Sequence, residues 1–355
     1  MSEPVNIADL EALASDKLDP GPLGYFAGGA GDERTLRRNV EAFEGWELWP
    51  RVLVDVSQVS TAVELLGSEV KQPVLVAPVA FQKLAHPEGE VAMARAAEAA
   101  GTVMCLSTIA TCGPTEVAAG CGGRKWMQLY CFRDRGISRA LLDEAVEAGF
   151  EAVLLTVDAP YAGKRERDFR TGFEVPAEIT APAVQKASGG RDLSVREVFD
   201  LIDPSLDWDD LAELVEASEL PLMVKGLVRG DDAELAVEHG AAGVVVSNHG
   251  GRQLDNAPAT IDALPVVAEA VAGRVPVLMD GGIRRGTDVA IAMALGADAV
   301  LSGRPCLYGL AWDGAAGAER ALRILRAELR LALSLLGCTS PAALDSSYVR
   351  RRTRS

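Results

Sequence analysis

Eight short apolar runs, separated by stretches of helical spacing, constrain the fold of this chain more than any other feature. They fall at 74–77, 103–106, 126–129, 152–157, 222–224, 243–246, 277–279 and 299–301. Each is continuous rather than alternating, as a strand buried on both faces should be. Between most of them lie Ala-, Glu- and Leu-rich segments of helical period, at 89–100, 138–148, 231–238 and 287–295. Eight strands alternating with helices predict an α/β protein of the (β/α)8 TIM-barrel type. An open doubly wound sheet has the same alternation, and the strand count alone does not exclude it.

The 355 residues suit one barrel domain with extensions. An N-terminal helical extension is expected over 1–70, with helices at 7–18 and 32–43, and the barrel over 71–338. The rhythm breaks once, between the fourth and fifth runs. The middle of that gap, 173–192, is rich in Pro, Ala, Gly and Ser and has no period. A long loop at the C-terminal end of a barrel strand predicts a mobile lid, placed at about 173–206.

Charge narrows the partners. The net charge is -16 and the pI about 4.7. Such a surface repels phosphate backbones and anionic lipids, so neither nucleic acid nor a membrane is an expected partner. An anionic ligand would need cations gathered locally, and Arg165, Arg252, Arg284 and Arg304 are the candidates. The six cysteines have no CxxC spacing and no zinc-type cluster with histidine, so no metal is expected and the thiols read as free. The first residues lack a secretory pattern, no apolar run approaches the ~20 residues of a membrane span, and RRTRS is not the peroxisomal signal. A cytoplasmic protein is the expectation.

In a β/α barrel the residues just after each strand face one mouth. Read in order, these are Pro78, Val79 and Ala80, then Ser107, Gln128, Tyr130, Thr156 and Asp158, then Lys225, Ser247, His249 and Arg252, and last Asp280–Arg284 with Gly303 and Arg304. An ordinary rim holds turn formers and scattered charges, whereas this one holds hydrogen-bonding groups, a base, an acid and several cations. SNHGGRQLD is the richest stretch. It places His249 and Arg252 on a glycine turn past the sixth run, a combination suited to removing a proton while holding an anionic group.

The last two runs carry a phosphate signal. In DGGIRRG, Gly281 and Gly282 allow close backbone approach and Arg284 supplies a cation. In SGRP, Gly303 and Arg304 precede a helix whose N-terminus can face an anion. GGAG at 28–31 follows no strand, and GCGGRK at 120–125 fails the P-loop pattern, so neither is a nucleotide motif. His86 and His239, beside Pro87 and Gly240, read as structural.

Eight stretches match one family in order: GYFAGGAGDE, APVAFQKLAHPEGE, WMQLY, TVDAPYAGKRERD, VKG, SNHGGRQLD, DGGIRRGTD and GRP. From Tyr25 to about Cys338 the chain resembles the FMN-dependent 2-hydroxy acid oxidases and dehydrogenases, which include glycolate oxidase, lactate oxidase and mandelate dehydrogenase. The resemblance implies FMN as cofactor and oxidation of an L-2-hydroxy acid to a 2-oxo acid, with O2 as acceptor and H2O2 as product. It implies that His249 is the base, paired with Asp158, and that Tyr130 bonds the substrate hydroxyl. Tyr25, Arg165 and Arg252 would hold the substrate carboxylate. Lys225 would face the flavin N1 and O2. Ser107, Gln128, Thr156, Ser247 and the backbone of Pro78, Val79 and Ala80 would contact the ring or ribityl chain, Asp280 the ribityl hydroxyls, and Gly281, Gly282, Arg284, Gly303 and Arg304 the phosphate. A homo-oligomer, tetramer or octamer, is implied too.

The chain departs from glycolate oxidase at Ile109, where that relative has a tryptophan lining the pocket. The change favours a larger apolar substituent, as in lactate, longer aliphatic acids or mandelate, and Tyr161 and Phe173 are expected to add aromatic lining. Three alternatives stay open at this level: a modified peptide as substrate, an acceptor other than oxygen, and a phosphate-ligand barrel without redox chemistry.

Overall fold

The protein is described from a computed structural model covering residues 3–352. Eight strands form a closed parallel barrel: β1 (Val74–Val76), β2 (Met104–Leu106), β3 (Lys125–Leu129), β4 (Val153–Thr156), β5 (Leu222–Leu227), β6 (Gly243–Val246), β7 (Val277–Asp280) and β8 (Ala299–Ser302). Each pairs in parallel with the next, and β8 closes on β1 through Val300–Val74, Leu301–Leu75 and Ser302–Val76. The open sheet is thereby excluded.

Alternation along each strand divides the core in two. Leu75, Cys105, Trp126, Leu154, Met223, Val245, Leu278 and Leu301 form one buried cluster inside the barrel. Val76, Met104, Met127, Leu155, Val224, Val244, Met279 and Val300 face outward and join the cluster under the helices. Burying one such side chain stabilises by about 1.5–3 kcal/mol. Period two then fixes the mouth. Two positions past an inward core residue come Ser107 after Cys105, Gln128 after Trp126, Thr156 after Leu154, Lys225 after Met223, Ser247 after Val245, Asp280 after Leu278 and Gly303 after Leu301. The same parity that fills the barrel aims the polar groups into its mouth.

The extension is not wholly helical. Helices Ile7–Lys17, Pro20–Ala27 and Arg34–Glu41 are followed by an antiparallel hairpin, Val63–Leu65 with Ser68–Val70. Its Leu65 and Val70 belong to the interior cluster and plug the barrel at the N-terminal ends of the strands. Trp46–Leu48 pairs with Val349–Arg351, so the two ends of the fold are stitched together. A 33-residue helix, Arg304–Leu336, kinks at Asp313 and Gly314 and packs against Gly89–Ala100 and Ile7–Lys17.

The connection after β4 also differs from a structureless loop. It carries helices Glu166–Thr171, Pro182–Ala187 and Val195–Asp200, the last opened by a reciprocal Ser194–Glu197 capping box. Apolar periodicity is too short-lived in such brief helices to register in sequence. No helix among the described residues is long and apolar enough to cross a membrane. All six cysteines are free and buried.

Candidate active site

One cavity opens at the C-terminal mouth of the barrel. It is lined by Tyr25, Pro78, Val79, Ala80, Ser107, Gln128, Tyr130, Thr156, Arg165, Lys225, His249, Arg252, Asp280, Gly281, Gly282, Arg284, Gly303 and Arg304. Of the catalytic, substrate-binding and cofactor-binding residues that the resemblance implies, Asp158 and Ser247 alone lie behind this wall, each bonded to a residue that forms it.

Asp158 accepts a hydrogen bond from His249 Nδ1 at 2.8 Å. Burial works to raise the Asp158 carboxyl, but the His249 imidazole and the Lys225 ammonium win and hold it below the usual carboxylate range. The bond commits Nδ1 and turns Nε2 toward the cavity, 3.5 Å from the Tyr130 hydroxyl. Burial first, and then the Asp158 charge, push Tyr130 well above its ordinary pKa, so it stays a neutral hydroxyl. His249 has a left-handed φ of 57°, followed by Gly250 at 62° and Gly251 at 77°. Glycine takes this conformation freely, whereas histidine holds it at a cost.

That turn is clasped by the N-terminal extension. Asn39 and Asn248 exchange two side-chain bonds of 2.8 Å, Ala30 N donates to Gly251 O, and Thr35 N donates to Asp255 Oδ1. A side chain on Gly251 would strike the Leu36 backbone, its ideal Cβ lying 2.6 Å from Leu36 N. On the other side Gln253 accepts from Gly163 N and donates to Asp158 O and Tyr161 O. Neither clasp was visible in sequence, because each joins residues far apart in the chain.

Lys225, Ser247 and Asp280 close a buried triad. Lys225 Nζ lies 3.0 Å from Asp280 Oδ2 and donates to Ser247 Oγ at 3.0 Å, while Ser247 Oγ donates to Asp280 Oδ1 at 2.8 Å. Burial disfavours the Lys225 charge, yet Asp280 and Asp158 hold its pKa above the ordinary value.

Among the described residues, none of Arg165, Arg252, Arg284 and Arg304 forms an ion pair with a carboxylate, although Asp168 lies near the first two. Arg252 donates to Tyr25 O and Gly28 O and lies 4.9 Å from the Tyr25 ring centroid, with Arg165 over the same ring at 5.5 Å. Burial and the neighbouring Arg165 cation push Arg252 down to about 9. Arg165 Nε is buried without a partner. Arg304 spends its guanidinium on Phe26 O, Gly250 O and Gly28 O, and burial pushes it down to about 10. Its position offers the start of a helix rather than a free side chain. The Arg284 guanidinium donates to Ile283 O and forms no ion pair among the described residues, which leaves its charge to a ligand.

Gln128 Nε2, Thr156 Oγ1 and Ser302 Oγ belong to residues that line the cavity and are buried without partners among the described residues. Buried polar groups are ordinarily satisfied, so three orphans in one wall suit a ligand rich in ring nitrogens and carbonyls. The apolar lining departs from expectation. Ile109 lines the cavity, but Tyr161 is 73% exposed and outside it, and Phe173 packs on the Tyr25 ring at 6.0 Å. The aromatic side chains there are Tyr25, Phe26, Tyr130 and Phe199. His86 and His239 lie elsewhere, with His239 Nδ1 donating to Leu235 O beside the Trp208 ring.

The sequence pattern of the FMN-dependent dehydrogenases matches residues 14–351. The chain is 47% identical to an L-lactate oxidase of Nostoc sp., covering 98% of this chain and 99% of that protein. It is 44% identical to glycolate oxidase 3 of Arabidopsis thaliana, covering 98% and 96%. A crystal structure of mandelate oxidase superposes with a TM-score of 0.90 at 42% identity, covering 96% of this chain and 97% of that one. Matched along nearly its whole length in sequence and in fold, the chain belongs to the FMN-dependent dehydrogenase family.

Proposed function

We propose that the protein oxidises an L-2-hydroxy acid to the 2-oxo acid with bound FMN, passing two electrons on to O2 and giving H2O2. The observation that carries this reading is the His249–Asp158 pair beside two guanidinium groups that form no ion pair among the described residues. The orphaned Gln128, Thr156 and Ser302 groups fit an isoalloxazine edge, with Ser107 and the backbone of Pro78, Val79 and Ala80 beside it. Lys225, set by Ser247 and Asp280, would be the fixed cation facing the flavin and would favour its reduced, charged form. Gly281, Gly282, Arg284, Gly303 and the helix start at Arg304 would hold the phosphate. When bound, the flavin supplies a two-electron acceptor.

The protein's own groups do the rest. Arg165 and Arg252, with Tyr25, hold the carboxylate by charge-assisted bonds. Tyr130 orients the hydroxyl. His249 Nε2 takes a proton as the substrate loses two electrons, and Asp158 stabilises the imidazolium that results. The named activities of the Nostoc, Arabidopsis and mandelate oxidase relatives support the same reaction class. A panel of hydroxy acids assayed for peroxide and for dye reduction tests both substrate and acceptor. Peroxide formed in proportion to substrate supports the oxidase. Dye reduction without peroxide would contradict it, and indifference to the whole panel would point to a peptide.

A homo-oligomer, tetramer or octamer, and a cytoplasmic setting complete the proposal. The loop bearing Val52 and Leu53, 80% and 104% exposed, supports the first, and the free thiols support the second.

A further inference from the structure

This inference rests on the function just proposed and concerns which hydroxy acid fits. The reacting carbon of a 2-hydroxy acid has four substituents. On that function the carboxylate would face Arg165 and Arg252 and the hydroxyl would face His249 and Tyr130, the hydrogen is lost in the reaction, and one substituent is left. The cavity wall available to it is apolar: Ile109 from the loop after β2, Ala159 and Ala162 after β4, and Phe199 from the helix Val195–Asp200. Gln253 also lines the cavity, but its amide is consumed by Gly163, Asp158 and Tyr161 and has nothing to offer a polar substituent.

Phe199 is the one large flat member of this set, and it is fixed in place. Just after it the chain is stapled to the barrel: Arg133 N donates to Leu201 O, Asp203 N donates to Cys131 O, and Phe132 and Ile202 form an antiparallel bridge. Arg135 adds ion pairs to Asp203 at 2.7 Å and Asp210 at 2.8 Å. The helix start is set by the Ser194–Glu197 box. The ring therefore stands at the anchored end of the lid, as a wall of the substrate pocket.

From this we infer that Phe199 selects the substituent on the reacting carbon, and that the substrates are 2-hydroxy acids bearing an aryl or branched alkyl group. An aromatic substituent stacks on the ring and exchanges water for apolar contact, whereas the hydrogen of glycolate leaves that wall wet. A polar substituent would be buried without partners.

The test uses the flavin-loaded protein and two variants, Phe199→Ala and Phe199→Leu, each checked for retained flavin. Steady-state kinetics on (S)-mandelate, (S)-2-hydroxy-4-methylpentanoate, (S)-lactate and glycolate give the selectivity. For the native protein, kcat/KM for mandelate should exceed that for glycolate at least ~10-fold, the size of one buried apolar group. Phe199→Ala should lower that ratio at least ~10-fold, mainly through KM, and Phe199→Leu should fall between. A readout without turnover is the thermal shift given by phenylacetate against acetate. Phenylacetate should protect more strongly in the native protein, and the difference should vanish in Phe199→Ala. An active enzyme whose mandelate-to-glycolate ratio and phenylacetate preference survive both substitutions overturns this inference alone. Failure of the native protein to oxidise any of the acids overturns the function beneath it.

Discussion

His249 Nδ1 and Asp158 Oδ1 meet at 2.8 Å across 91 positions of sequence, joining the loop after β6 to the loop after β4. The bond settles which imidazole nitrogen faces the cavity, because a carboxylate accepts only from a protonated Nδ1, leaving Nε2 free to take a proton. The chemistry of the mouth depends on that choice.

Asp158→Asn keeps the shape and removes the charge. An amide can present its NH2 to Nδ1 and favour the other tautomer. Turnover should fall by ~10²–10⁴, with binding of an unreactive acid changed little. The native carboxyl sits below the usual range, so its contribution is present at neutral pH and is lost only as the solution becomes acidic enough to protonate it. An Asp158→Asn enzyme of native turnover would remove Asp158 from the mechanism.

Arg252→Met takes one guanidinium from the proposed carboxylate site. A hydrogen bond to a charged group contributes about 1.5–3 kcal/mol, so KM should rise by roughly 10- to 150-fold, with a smaller effect on kcat. Unchanged saturation would show that the carboxylate binds elsewhere.

Lys225→Met leaves Asp280 buried without its cation. Lys225 is 4% and Asp280 9% exposed at the side chain. Breaking such a pair costs about 3–5 kcal/mol, to be read as a lower denaturant midpoint. Lys225→Met with Asp280→Asn should recover part of it. Equal stability of the single and double variants would mean that the two charges are not coupled.

Asp288 gives a pH signature. Its Oδ2 accepts from Arg284 N and Arg285 N at 2.8 Å each, which sets the turn proposed for the phosphate, and burial lifts its pKa to about 6. A raised carboxyl binds protons more readily when folded than when unfolded. Its own contribution to stability therefore grows as pH falls from 7 toward 4, by up to about 3 kcal/mol at 1.4 kcal/mol per unit. Asp288→Asn should remove that slope, measured as the native-minus-variant difference in unfolding free energy at pH 7 and pH 5. A difference that does not change with pH would contradict it.

The barrel was legible in the sequence because its strands are buried on both faces and read as unbroken apolar runs. The runs at 243–246 and 299–301 locate β6 and β8 to within a residue. The polar mouth was legible because it continues the inward parity of those strands. The interior hairpin was not: its strands are three residues each, and only the closed barrel gives Leu65 and Val70 something to plug. Phe199 was missed for a related reason. It lies in a helix of six residues, too short for its spacing to register, and the staple at Phe132 and Ile202 brings it to the cavity. The folded loop turns Tyr161 to solvent and packs Phe173 on the Tyr25 ring, so neither adds the aromatic lining expected of it.

On the proposed function, His249 takes a proton from a substrate held against bound FMN. The most direct test is anaerobic rapid mixing of flavin-loaded native protein and His249→Gln with (S)-mandelate or (S)-lactate, following the visible flavin band. The native band should bleach within the turnover time, and His249→Gln, with its flavin still bound, should bleach at least ~10²-fold more slowly. Equal bleaching rates in the two proteins would contradict the account.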